Sequence, residues 1–215
     1  MTVQRLMTGK EACAGFFKTT YMLIGFPCAV IITIPSLIFS SQLFNTGGLP
    51  TLFFFSVIWM GVLIPILLIA WRTFSRRRFL KSITAVLKDQ QFFDPDEANE
   101  LYNVAAGKYL GIDTTNGTIL YVHRIRKGQA DVVGLTMPDW TCREVEGSLF
   151  RLYTKFPDLP RIEIGTPWAQ RWYDTLGAME YKQKQYSTPQ SFSQYVRDRL
   201  DALEHELNVQ IPRLA

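Results

Sequence analysis

Hydrophobic and polar residues divide the chain into two parts with different patterns. No Lys, Arg, Asp or Glu occurs between Thr19 and Trp71, whereas apolar and polar residues alternate in several segments after residue 82. An apolar run of about 18 or more residues is long enough to cross a bilayer. The pattern therefore predicts an N-terminal segment, 1–81, that forms a transmembrane helical hairpin, followed by a separate domain, 82–215.

The apolar part contains two predicted spans, about 19–44 and 51–71, and the turn between them is marked by Asn, Gly and Pro. The second span has the length of about 20 residues that a crossing requires. The first is longer, and Pro27 and Pro35 predict a kink in it. A re-entrant or monotopic hairpin, which dips into the bilayer without crossing it, is the alternative.

Five basic residues follow the second span, whereas the turn has none; they are Arg72, Arg76, Arg77, Arg78 and Lys81. Cationic flanks stay on the cytoplasmic side and contact the lipid bilayer, so we expect both termini and the C-terminal domain to be cytoplasmic. Residues 1–81 hold eight Lys and Arg against one acid, and residues 82–215 hold fifteen against eighteen. The positive charge thus lies on the flanks, and no nucleic-acid partner is expected.

The pattern after residue 82 predicts an α+β domain. Alternating or apolar segments predict an antiparallel meander with strands at 108–113, 118–125, 130–136, 149–156 and 161–165, and a less certain one at 142–147. Asn116-Gly117 favours a hairpin turn, because both residue types tolerate positive φ. The order of elements resembles the pleckstrin-homology-like superfold.

Helical signals flank these strands. Helices are predicted for 75–91, for 94–107, from Thr166-Pro167 onward and from Thr188-Pro189 onward. The third has an apolar stripe of Trp168, Trp172, Leu176 and Met179. The stripe of the last helix, which runs from Phe192 to Leu207, could pack on the domain or pair with another copy, so a homo-oligomer stays open.

No arrangement of residues indicates catalysis, and we expect no catalytic residue, no metal and no cofactor. Glu144 and Glu146 could form an acid–base pair, but alternating acids on a strand are more typical of a solvated edge. Aromatic residues are most often core residues, although some beside arginines would form a protein-binding surface. The candidate partner-binding residues are Asp139, Trp140, Arg143, Arg161 and Arg171.

Several segments resemble the ExcA-type surface (entry) exclusion proteins of IncI-type conjugative plasmids. They are 107–113 (GKYLGID), 116–121 (NGTILY), 131–135 (DVVGL), 139–141 (DWT) and 168–174 (WAQRWYD). The resemblance implies a protein of the bacterial inner membrane that blocks redundant plasmid transfer by recognising a TraY-type membrane protein of the donor's transfer apparatus. It implies no catalytic residues. A membrane-anchored lipid- or protein-binding adaptor and a small membrane enzyme remain alternatives.

Overall fold

The computed structural model describes residues 19–28, 31–32, 34, 49–126, 128–182, 186, 192–207 and 209–212. The chain divides into two compact units, Met1–Arg72 and Thr73–Ala215. Helix α1, Leu49–Leu87, begins in the first unit and ends in the second. Each unit has its own internal contacts.

In the first unit, a π-helical turn, Tyr21–Gly25, lies among helical residues, and the Tyr21 hydroxyl donates to the carbonyl oxygen of Gly61 in α1 at 3.3 Å. The predicted transmembrane hairpin is wrong. Across the part of the chain that the structure describes, no helix is both long and apolar enough to cross a bilayer. The segment predicted as the second span does not end at Trp71, because α1 continues through the basic residues to Leu87. Much of the first predicted span and of its turn lies outside the described residues.

The second unit contains a four-stranded antiparallel sheet whose strands follow one another in chain order. They are β1 (Glu100–Asn103), β2 (Lys108–Asp113), β3 (Thr118–Arg126) and β4 (Gln129–Thr136). The predicted hairpin between β2 and β3 is confirmed. Gly117 has a φ of 71° there, and the Asp113 carboxylate accepts the amides of Thr115 and Asn116 at 2.8 and 3.0 Å.

A second antiparallel sheet follows, with the order β5 (Trp140–Glu146), β6 (Leu149–Thr154) and β7 (Arg161–Gly165). Helices α2 (Ala169–Tyr181) and α3 (Phe192–Leu207) complete the unit. The predicted meander had about five strands, whereas seven strands form two separate sheets among the described residues. The chain leaves the first sheet through the 3-10 turn Met137–Asp139, where Pro138 cannot donate a ladder hydrogen bond.

The helix predicted for 94–107 is also wrong. Only the 3-10 turn Glu97–Asn99 forms, and the chain then enters β1. Strand pairing overrides the helical signals, since Tyr102 lies opposite Tyr109 and their rings are 4.7 Å apart. Gly107 has a φ of 68° and serves the turn into β2, so it caps no helix.

The four-stranded sheet is buried on both faces. One face packs on α1 and α3, through a cluster that includes Leu80, Ile83 and Leu87 of α1 and Phe192 and Val196 of α3. The apolar stripe of the last helix therefore packs on its own domain, and α3 contacts β4. The buried end of α1 places the start of the second unit at Thr73 and not at residue 82.

The other face of this sheet packs on the second sheet and on α2. This second cluster includes Ile112 and Leu135 from the first sheet, Phe150 from the second, and Trp172 from α2. The rings of Phe150 and Trp172 meet edge to face, with centroids 6.0 Å apart. The stripe predicted for α2 is buried at Trp172, Leu176 and Met179, whereas Trp168 is not part of the core.

Two side chains of the first sheet tie it to the edge of the second. The Lys108 ammonium donates to the carbonyl oxygen of Glu163 at 2.7 Å, and the Asn103 amide donates to that of Gly165 at 3.3 Å. Burial lowers the pKa of Lys108, and the nearby Glu163 carboxylate opposes that effect. These bonds satisfy two carbonyl groups of β7 that no strand on that side pairs with in the described part of the chain.

Replacing Trp172 with alanine should lower the free energy of unfolding by about 3–5 kcal/mol, because the side chain is fully buried and a cavity would remain. Trp168→Ala is the matched control. Its side chain is 48 % exposed, so the change should cost less than about 1 kcal/mol. Chemical denaturation of both variants measures the difference. Equal stability of the two would contradict the placement of Trp172 in the core.

Leu80→Ala should lower the stability of a 73–215 fragment by about 2–5 kcal/mol, because this fully buried leucine belongs to the cluster under the first sheet. Its neighbour Lys81 is exposed, and Lys81→Ala should change stability by less than about 0.5 kcal/mol. Thermal and urea unfolding give both values. A fragment that begins at residue 82 lacks Leu80 and should be less stable than one that begins at Thr73.

Candidate functional site

Three of the five candidate partner-binding residues have internal roles. Asp139 accepts the amide and the hydroxyl of Thr136 at 2.7 and 2.6 Å, so its carboxylate holds the turn between the two sheets. Trp140 is buried, with 5 % of its surface exposed. Trp140 is therefore a core residue, whereas Asp139 is partly exposed.

Arg143 connects β5 to helix α2. Its guanidinium pairs with the Glu180 carboxylate at 2.6 Å and lies 4.5 Å from the ring centre of Tyr173. A Cβ at Gly177 would be 2.9 Å from the guanidinium, so the glycine leaves room for this side chain. The arginine is therefore part of the packing between sheet and helix.

Arg161 and Arg171, the other two candidates, are exposed. Arg161 pairs with Glu163 at 3.1 Å and belongs to the outer face of the second sheet. Arg171 lies on the outer side of α2, and no salt bridge to it is found among the described residues. Two of the five candidate residues are therefore accessible to a partner.

The outer face of the second sheet is a network of charges centred on Arg151. Strand register places Glu144 and Glu163 opposite Arg151 on either side. The guanidinium lies 2.6 Å from Glu146, 3.0 Å from Glu163 and 3.6 Å from Glu144. The hydrogen bonds that the guanidinium donates to Glu146, and then to Glu163, raise the pKa of Arg151. Glu144 and Glu146 share one arginine here, as expected of a solvated face.

Two exposed aromatic residues lie at the ends of α2. We call Trp168, Arg171, Asp174, Ala178 and Tyr181 the outer helix face. Trp168 is 48 % exposed and Tyr181 is 94 % exposed. The sequence pattern assigned Trp168 to the core and gave Tyr181 no role. Trp168 does not follow the helical pattern because it precedes the helix. Its amide donates to the Thr166 hydroxyl at 3.1 Å, and the helix begins only at Ala169.

The basic residues predicted to flank the membrane all lie on α1. Arg72 belongs to the first unit, and Arg76, Arg77, Arg78 and Lys81 belong to the second. Arg76 donates to the carbonyl oxygen of Ala105 at 2.6 Å. Because the predicted hairpin is wrong, no membrane span is found beside these residues in the described part of the chain. Their side chains are nevertheless exposed and charged.

Comparison with known proteins places the chain in a family. The family model described as "Exclusion-determining protein" matches residues 1–215, the full length of the sequence. No curated protein and no solved structure matches. The resemblance to exclusion proteins is confirmed by this match. The chain therefore belongs to the exclusion-determining protein family, and its role lies in the exclusion of conjugative transfer.

Proposed function

We propose that this protein prevents redundant conjugative transfer by binding a membrane protein of the donor's transfer apparatus, without catalysing a reaction. The exposed outer helix face carries this proposal. Trp, Tyr and Arg dominate the binding energy of protein interfaces. Trp168 at the N-cap of α2, and Arg171 and Tyr181 within the helix, bring all three types to its exposed surface.

The spacing of these residues suits a protein partner. Trp168 and Tyr181 are thirteen positions apart in the sequence, which corresponds to about 20 Å along a helix axis. A contact of that length fits the usual interface of about 800 Å² on each partner better than it fits a small-molecule site. The Gln170 amide donates to the Asp174 carboxylate at 3.1 Å, which gives the face a polar middle between aromatic ends.

The partner's identity as a TraY-type protein and the location at the bacterial inner membrane come from the family resemblance, and they form part of the proposal. Because Asp139, Trp140 and Arg143 have internal roles, the proposed binding surface is on helix α2 and not on strand β5. Arg161 could contribute at the border, since its side chain is 50 % exposed even with Glu163 as a partner.

The double variant Trp168→Ala/Tyr181→Ala should lose exclusion in a recipient cell while the protein still folds. Each change removes exposed aromatic surface, and an interface anchor is typically worth about 2 kcal/mol or more, which is roughly thirtyfold in affinity. The measurement is the transfer frequency of the plasmid into recipients that express each variant, with protein amounts compared by immunoblot.

The control for that assay is Lys155→Ala, which changes an exposed residue outside the outer helix face. It should exclude as well as the unmodified protein. If the aromatic double variant also excludes normally, recognition lies on another surface. If the unmodified protein leaves transfer frequency unchanged, exclusion itself is not its activity toward that plasmid.

Exchange of residues 73–215 with those of a relative that excludes a different plasmid should exchange the specificity. Placed aromatic and charged side chains discriminate between partners, and those of the outer helix face lie in this unit. The exchange begins at Thr73 to keep the buried end of α1 with its sheet. Transfer frequencies of both plasmids into both chimaeras give the result. Specificity that follows residues 1–72 would assign recognition to the first unit.

A further inference from the structure

A groove runs along α1 where the helix faces the segment that leads into β1. Its volume is about 540 Å³, within the range of sites that bind small molecules. Most of the residues that line it are charged or polar; they are Arg77, Lys81, Thr84, Ala85, Lys88, Glu97, Glu100 and Tyr102. All of them belong to the second unit.

The positive charge of this groove is unbalanced at one end. Lys88 pairs with Glu100 at 3.0 Å, whereas no salt bridge to Arg77 or Lys81 is found in the part of the chain that the structure describes. Arg77 and Lys81 are four positions apart on a helix, an arrangement in which like charges repel. A bound anion would remove that repulsion.

The net charge of the second unit does not explain the positive charge at this end of the groove. Residues 73–215 hold nineteen Lys and Arg against eighteen Asp and Glu, a net charge of +1. Several other cations of the unit pair with a carboxylate, as Arg151 pairs with Glu146 and Arg143 with Glu180. The cations at 77 and 81 stand out because they line a concavity without such a partner.

The floor of the groove is polar. The Thr84 hydroxyl donates to the carbonyl oxygen of Lys81 at 3.1 Å, so the Tyr102 hydroxyl, 3.0 Å away, donates to Thr84. Burial raises the pKa of Tyr102, which keeps that hydroxyl protonated. Such a floor suits the polar part of a ligand and offers little surface to a hydrocarbon chain.

We propose that this groove binds a phosphate ester, with the phosphate between Arg77 and Lys81. A guanidinium presents a fork of donors that matches phosphate oxygens, and an ammonium adds a second charge. Glu97 supplies an acceptor for a hydroxyl of the same ligand. The phosphate belongs to a lipid headgroup or to a free ester, and the site does not depend on the proposed recognition of a donor protein.

The test compares the full-length protein with its Arg77→Gln/Lys81→Gln variant. The probes are glycerol phosphate, titrated by calorimetry, and vesicles of phosphatidylcholine with and without phosphatidylglycerol, measured by flotation. The variant should bind about tenfold more weakly or worse, since each cation near an anionic surface contributes measurably. Higher salt should weaken binding by the unmodified protein. The matched control is Lys155→Gln/Arg197→Gln, which removes two exposed cations elsewhere and should bind normally.

Binding to glycerol phosphate identifies a free ester as a sufficient ligand, and binding only to phosphatidylglycerol vesicles identifies the lipid headgroup. Both support the site if the groove variant loses binding. The proposal is overturned if neither probe binds, if both double variants lose binding equally, or if a hexaglutamate peptide binds more tightly than either probe. The groove variant should keep the melting temperature of the unmodified protein, because its two side chains are exposed and removing them relieves repulsion.

Discussion

Burial of the four-stranded sheet on both faces is the constraint on which the α+β unit depends. A sheet that is solvated on one face needs apolar residues only at alternate positions, but β2, β3 and β4 are buried at nearly every position of their cores. Two separate layers must therefore cover it. The end of α1 and helix α3 cover one face, and the second sheet with α2 covers the other. The central sheet is therefore shielded from water only by elements that precede it in the chain together with elements that follow it.

This constraint also fixes where accessible chemistry lies. Since α2 directs Trp172, Leu176 and Met179 inward, its opposite side holds Arg171 and Tyr181 in solvent. Since α1 directs Leu80, Ile83 and Leu87 inward, Lys81 and Arg77, one turn before it, are exposed and border the groove. The two candidate surfaces are the remaining sides of helices whose inner sides are fixed by the core.

The sequence predicted those elements whose signals are local. The hairpin at Asn116-Gly117, strand 161–165 and the stripe of α3 agree with the structure, because turn chemistry and periodicity arise from neighbouring residues. Residues 94–107 failed because pairing between β1 and β2, which depends on distant residues, outweighs helical caps. The division into two sheets could not be predicted from alternation, which shows the two faces of a strand but not its partners. Trp140 and Arg143 look like an interface pair in sequence, and only the packing of α2 shows that they are internal.

The predicted membrane hairpin failed for a different reason, and it changes how the charge is interpreted. An apolar segment followed by a basic block does not by itself establish a membrane span. A single helix can continue through both, as α1 does from Leu49 to Leu87. Division of the charge at residue 81 assigned the basic block to a membrane flank. Division at Thr73, where the contacts divide, assigns Arg76, Arg77, Arg78 and Lys81 to the unit that also holds the outer helix face. Net charge then gives little guidance about partners, because nineteen cations and eighteen carboxylates are spread over the whole unit, while four of the cations fall within six consecutive residues of α1. The local arrangement of charge, and not its sum, decides which anion or partner the unit can bind.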